Sequence, residues 1–185
     1  MPTELLNLKE KYEREVVPRL KQEFGLANNL AVPRPFKVVL NVGFGARNKD
    51  AAKAQEVALK TLERISGQKP VVTLARKSIS NFKIREGMPV GAMVTMRGAR
   101  MYDFLAKLVN IALPRVRDFR GLSAASIDSR GNLSIGFREH IVFPEIRSDE
   151  VEAIHGLEVA IATTPSSPLL GRRLFELLGF PFSQV

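Results

Sequence analysis

The sequence contains no cysteine, which excludes disulfide bridges, thiolate zinc sites and cysteine nucleophiles. Histidine is nearly absent: His140 and His155 stand far apart in sequence, and neither has a partner at metal-ligand spacing. The default for each is a surface or packed imidazole. No stretch approaches the roughly 18 apolar residues of a membrane span. Residues 1–9 include Glu4 and lack the apolar core of a secretory signal. The expectation is a soluble, cytosolic protein without a metal or cofactor. Such a protein never uses the sequon Asn132-Leu133-Ser134. No internal repeat and no low-complexity tract is visible. Catalytic signatures are missing as well. There is no G-x-S-x-G elbow and no Walker pattern. Gly43-Phe44-Gly45 starts like a dinucleotide loop, but no third glycine follows at the required spacing. It reads as a turn. Glu145, Asp149, Glu150 and Glu152 read as an acidic, solvated segment rather than a catalytic pair.

Acids are scarce through the middle of the chain. The 185 residues carry 28 Lys and Arg against 19 Asp and Glu, a net charge of +9. Residues 34–130 hold 19 bases and 7 acids, whereas residues 131–185 hold 4 bases and 7 acids. One region owns the positive field, so an anionic partner is expected, a nucleic acid or an anionic membrane. The hydrophobic content of 45% provides a core, and the length suits one domain, residues 1–185, or one domain with additions.

Periodicity and punctuation outline the elements. A helix is expected over 3–24, capped by Thr3, with Leu5, Leu8, Tyr12, Val16, Leu20 and Phe24 on one stripe. Pro18 kinks or restarts it, and Gly25 stops it. A strand follows over 36–42. Asp50 caps a helix over 51–66 that turns Ala54, Val57, Ala58, Leu62 and Ile65 inward and ends at Gly67. Strands are expected over 71–74 and 90–97, then a helix over 99–113 with Tyr102, Leu105, Leu108, Val109 and Ala112 on one stripe, stopped by Pro114. A strand over 133–137 is weakened at Gly136. After a helical turn over 149–154, a strand begins at Leu157 with Val159 and Ile161 on one face, and a helix over 168–178 closes the chain. The order predicts an α+β fold: a mainly antiparallel sheet with a β-α-β-β-α-β, ferredoxin-like core, helices on one face, added terminal helices and long basic loops.

The connection between the second and third strands is too long for a hairpin, whose loops usually run about two to five residues. It carries Arg76, Lys77, Lys83 and Arg85, with Phe82 among them and no acid before Glu86. Two readings stand side by side. The cations neutralise phosphates, Phe82 stacks on a base or ribose, and Ser78, Ser80 and Asn81 bond phosphate or 2′-OH groups. Alternatively, Ile79, Phe82 and Ile84 fold back onto the body and the cations are merely solvated. A second basic segment, with Arg115, Arg117 and Arg120 around Phe119, favours nucleic acid. The aromatic signature of an RRM is absent, so base stacking on a sheet face is not expected. Two rivals remain. An RNA-modifying or nucleotide-binding enzyme needs an acid, histidine or cofactor loop in the basic region, and none is found. A peripheral membrane protein needs a basic amphipathic helix, whereas these cations lie mostly in loops.

Several long motifs, "LNVGFG" at 40–45, "ISGQKPVVTLARKSISNFKIREGMPVG" at 65–91, "RGARMYDFLAKLVNIALPRVRDFRGL" at 97–122 and "IGFREHIVFPEI" at 135–146, closely resemble the signature of a bacterial ribosomal protein family. It is the family of 5S rRNA-binding proteins numbered five in the large subunit. The likeness runs from the first helix to "LLGFPF" at 177–182. One departure is Gly45-Ala46-Arg47, where the family commonly has an acid after the glycine turn. The resemblance implies a scaffold rather than a catalyst, with no small-molecule substrate and no membrane. Such proteins help fix 5S rRNA to the large-subunit (23S) rRNA in the central protuberance. They also touch peptidyl-site tRNA and a small-subunit head protein at an intersubunit bridge. By the resemblance, "LNVG" and "MVTMRG" form the 5S rRNA face, with Asn41, Val42, Gly43, Thr95 and Arg97 as contacts. The arm over 76–91, with Arg76, Lys77, Ser78, Ser80, Asn81, Phe82, Lys83 and Arg85, belongs at the tRNA. Arg115, Arg117, Phe119, Arg120, Phe143 and Glu145 are candidates for the bridge and neighbouring contacts.

Overall fold

Proline shapes two of the long helices. The computed structural model describes residues 8–44, 51–147, 153–164 and 167–183. In the first helix, α1 (Leu8–Lys11) widens into a π-helical turn over Tyr12–Val16, and α2 (Val17–Phe24) continues beyond it. Pro18 has no N–H, and its ring crowds the carbonyl four residues back, that of Arg14. The wider turn absorbs both defects, with the Val17 N–H reaching back to the Tyr12 carbonyl. The same solution recurs before Pro114. α4 (Gly98–Lys107) passes into a π-helical turn over Leu108–Ala112 and a final 3-10 turn over Leu113–Arg115. α2 stops at Gly25, whose φ of 63° is costly for a side-chain-bearing residue. α3 (Ala51–Ser66) ends at Gly67 in the same way. α5 (Pro168–Leu178) starts from Ser167, whose hydroxyl accepts the Leu170 N–H. The caps expected at Thr3 and Asp50, the Gly45-Ala46-Arg47 departure and most of the turn expected over 149–154 lie outside the described residues.

Five strands, β1 (Pro35–Gly43), β2 (Val71–Leu74), β3 (Pro89–Met96), β4 (Leu133–Phe137) and β5 (Leu157–Thr163), form one antiparallel sheet in the order β2-β3-β1-β5-β4. The fold is α+β, as expected. The strand that closes the split motif beside β1 is β5, however, and β4 lies outside it at the edge. Burial explains the exchange. Leu157, Val159, Ile161 and Thr163 of β5 are all buried, which suits an inner strand. β4 is shorter and carries Gly136, both marks of an edge strand.

Packing groups the chain into two compact units. One comprises Met1–Val38, Met96–Ile135 and Ala160–Val185, and the other Val39–Thr95 and Gly136–Val159. The first unit has a helical core of Tyr12, Val16, Leu20, Met101, Leu105, Leu108, Leu174 and Phe175, all buried. The Tyr12 hydroxyl donates to the Pro33 carbonyl at 3.1 Å, so its burial strands no polar atom. Arg173 grips Glu23 through two hydrogen bonds of 2.7 and 2.8 Å and holds the Glu23 carboxyl below its usual range. In the second unit, Ala58, Leu62 and Ile65 of α3 are buried, as are Leu40, Val42, Ala92, Val94, Phe137 and Val159. Phe143 joins this core with its side chain fully buried, edge-on to Phe137 at 5.7 Å.

Candidate nucleic-acid interface

Strand alternation builds the first surface, in the second unit. Leu40, Val42, Ala92 and Val94 point into the core, so Asn41, Met93 and Thr95 point the other way. Asn41 and Gly43 are exposed and Thr95 is half-buried. Opposite Met93 stands Val71, and opposite Gly91 stands Thr73. A Cβ on Gly91 would fall 2.8 Å from both the Thr73 hydroxyl and the Val42 carbonyl, so only glycine lets the strands approach here. From β5, the exposed Glu158 accepts a hydrogen bond from Asn41 Nδ2 at 3.4 Å. Val42 is a correction to the sequence-based contact set. Its side chain is buried and offers nothing to a ligand, because it occupies the inward phase of β1.

Arg97 lies in the first unit, in the extended residue that caps α4. Its guanidinium sits over the Phe36 ring, 5.7 Å from the centroid, and Lys37 Nζ lies at the same distance. Phe36 is 38% exposed. Sequence reasoning passed over it as a strand residue. The signal available was an aromatic flanked by cations in "RPFK".

The arm between β2 and β3 is a folded hairpin rather than a slack loop. At its base, the Ala75 N–H donates to the Met88 carbonyl at 2.8 Å and the Gly87 N–H to the Ala75 carbonyl at 3.0 Å. Further out, Ile79 and Ile84 exchange hydrogen bonds of 2.9 and 3.2 Å. A 3-10 turn over Ser80–Phe82 forms the tip, closed by Lys83 at φ 54°. Ser78 Oγ accepts the Glu86 N–H at 3.0 Å, which leaves its hydroxyl hydrogen available. Ser80 and Asn81 are exposed. Phe82 is 56% exposed and Ile79 45%. Of the three apolar residues of the outer arm, Ile79 and Phe82 stay exposed, whereas Ile84 is half-buried. Arg76, Lys77, Lys83 and Arg85 are all exposed, and among the described residues none is paired with an acid.

Two family models match the chain. One described as ribosomal protein L5 covers residues 28–85, and one described as the ribosomal L5P family C-terminus covers residues 89–182. The large ribosomal subunit protein uL5 of Fervidobacterium nodosum is 54% identical over 186 residues, covering the whole of both chains. The uL5 of Thermotoga maritima is 53% identical over 188 residues, again with both chains fully covered. That of Halothermothrix orenii is 53% identical over 177 residues, spanning 96% of this chain and 98% of that protein. The chain belongs to the ribosomal L5 family. That family is ribosomal rather than catalytic, and the chain is not an enzyme.

The remaining candidates in this L5-family chain divide between the units. In the first unit, Arg115, Arg117 and Arg120 are exposed and Phe119 is half-buried beside Asp118, which adopts φ 52°. In the second, Glu145 is half-buried and Phe143 is a core residue. The burial of Phe143 removes it as a surface contact. An aromatic in a loop-like "VFP" stretch carries no periodicity that would have placed it inside.

The histidines, distant in sequence, meet in the second unit. Their rings stack 4.0 Å apart with an 8° tilt. His140 is buried, and its Nδ1 lies 3.3 Å from both the backbone nitrogen and the carbonyl oxygen of His155. His155 Nε2 reaches the Thr61 hydroxyl at 3.3 Å. Burial, and then the neighbouring His155, push the His140 pKa below its usual value, partly offset by the hydrogen bond to His155. Among the described residues no group of three His, Cys, Asp or Glu could hold a metal ion, and no helix is long and apolar enough to cross a membrane.

Proposed function

We propose that the chain is a structural constituent of the large subunit of the cytoplasmic ribosome, binding rRNA, as its uL5 relatives are named for that subunit. In this reading it binds 5S rRNA through Asn41, Gly43, Thr95 and Arg97 and helps hold that RNA to the 23S rRNA in the central protuberance. The arm, through Arg76, Lys77, Ser78, Ser80, Asn81, Phe82, Lys83 and Arg85, contacts peptidyl-site tRNA. Arg115, Arg117, Phe119, Arg120 and Glu145 serve the intersubunit bridge to a small-subunit head protein and nearby contacts. The observation that carries the reading is the arm itself. A hairpin that holds out four exposed cations, none paired with an acid among the described residues, and an exposed Phe82 is matched to a phosphate backbone with bases to stack against.

Purification of the chain with bound nucleic acid, followed by identification of that RNA, tests the proposal. Enrichment of 5S rRNA over total cellular RNA is the expected result. Recovery of no preferred species contradicts it.

A further inference from the structure

Glu158 is out of place on a nucleic-acid face. Residues 34–130 supply a strongly basic field, and the neighbouring exposed positions on β1 and β3 are neutral. Yet this carboxylate is exposed on β5, and among the described residues no cation neutralises it. Among the described residues its one hydrogen bond comes from Asn41 Nδ2 at 3.4 Å. A carboxylate only accepts hydrogen bonds, so it fixes the orientation of the amide: the NH2 end faces Glu158 and Oδ1 is turned away. Both side chains then present acceptors, Asn41 its Oδ1 and Glu158 its remaining lone pairs. A phosphate brings no donor to such a pair and is repelled by the charge.

We propose that Asn41 and Glu158 form an acceptor pair that reads donor groups of RNA, either a ribose 2′-OH or the amino or imino edge of a base, and so sets specificity rather than affinity for phosphate. Carboxylates accept from base amino groups in direct readout, and the 2′-OH is the sugar donor that DNA lacks. The acid lowers binding to wrong RNAs, whose phosphates would meet it, and stabilises the one RNA that brings a donor to this place. The inference rests on the proposal that this face binds 5S rRNA.

The test compares wild type with Glu158→Gln, which keeps size and removes charge. Each is titrated with transcribed 5S rRNA and with an unrelated duplex RNA of equal length. Affinity of the variant for 5S rRNA should fall about tenfold, equivalent to about 1.4 kcal/mol. Affinity for the unrelated duplex should stay level or rise. A 5S transcript carrying 2′-fluoro pyrimidines separates the two donors. If the penalty vanishes on that transcript, the pair reads a pyrimidine 2′-OH, and if it persists there and on a second transcript with 2′-deoxy purines, a base edge. Glu158→Gln binding both RNAs equally more tightly, with an unchanged thermal melt, would overturn the inference and make Glu158 a repulsive bystander. A wild type that does not prefer 5S rRNA overturns the reading of the face, and the inference with it.

Discussion

The arm and the open sheet face lie in the same compact unit, and their charge is opposite in kind. Between β2 and β3 the arm carries Arg76, Lys77, Lys83 and Arg85 against the single acid Glu86. On the face, the stretches of β1, β2, β3 and β5 belonging to that unit contain no cation, and Glu158 makes the face locally acidic. Support differs too. Behind Asn41 and Thr95 lie Leu40, Val42 and Val94, nearly or wholly buried. The arm rests on two short sets of backbone hydrogen bonds and leaves Ile79 and Phe82 exposed. A rigid surface without cations discriminates by shape and hydrogen-bond pattern, and a cationic hairpin attracts by charge with little regard for sequence. The net charge of +9 therefore does not mark the place where specificity is set.

The most disruptive way to break this contrast is to spoil the face without touching a polar group. Gly91→Val places side-chain atoms against the Val42 carbonyl and the Thr73 hydroxyl, so we expect a stability loss of about 1–3 kcal/mol and a collapse of 5S rRNA binding. Urea unfolding followed by gel-shift titration measures both. Next in size is the loss of single contacts. Asn41→Ala should cost about 1–3 kcal/mol of 5S rRNA binding at constant salt slope, since no charge is removed. Arg97→Ala should weaken binding by a similar amount while lowering the slope by about 1. Equal slopes for the two variants would erase the distinction between a charged and a neutral contact.

Acid offers a subtler probe, because the His140–His155 stack lies in the unit that carries the face. The His140 pKa is depressed in the folded chain, so the unfolded state binds the proton first. The stabilisation tied to neutral His140 is complete above the unfolded value of about 6.5 and is lost as the pH falls through and below it. Urea midpoints at pH 8 and pH 5 should therefore differ more for wild type than for His140→Phe. The smallest effect on the fold is expected at the arm tip. Phe82→Ala should change stability by no more than about 0.5 kcal/mol, because the ring is largely in solvent. Its effect should appear as weaker retention of peptidyl-site tRNA by ribosomes carrying the variant.

Local order was legible in the sequence wherever residues punctuate the chain. Gly25 and Gly67 stop their helices, and alternation in "LEVAIATT" marks β5. Pro18 and Pro114 announced interruptions, but not that a π-helical turn would absorb each one. What stayed hidden depends on partners far along the chain. β5 rather than β4 lies beside β1, a pairing that no single segment encodes. The stack of His140 on His155 and the bond from Asn41 to Glu158 are tertiary contacts without a sequence pattern. At the candidate interface, the run of cations was readable from composition, whereas the exposure of Phe82 was one of two open readings. The inward turn of Val42 was implicit in strand alternation, and the burial of Phe143 was not.

The claim that the arm and the face serve different RNAs is tested most directly by the salt dependence of 5S rRNA affinity. The measurement compares wild type with a variant in which Arg76, Lys77, Lys83 and Arg85 are all alanine. If the arm serves tRNA, the two log–log slopes agree, large-subunit assembly survives and only peptidyl-site tRNA retention declines. If the arm anchors 5S rRNA, the loss of four phosphate-neutralising charges flattens the slope by about three to four units, and that result would contradict the account.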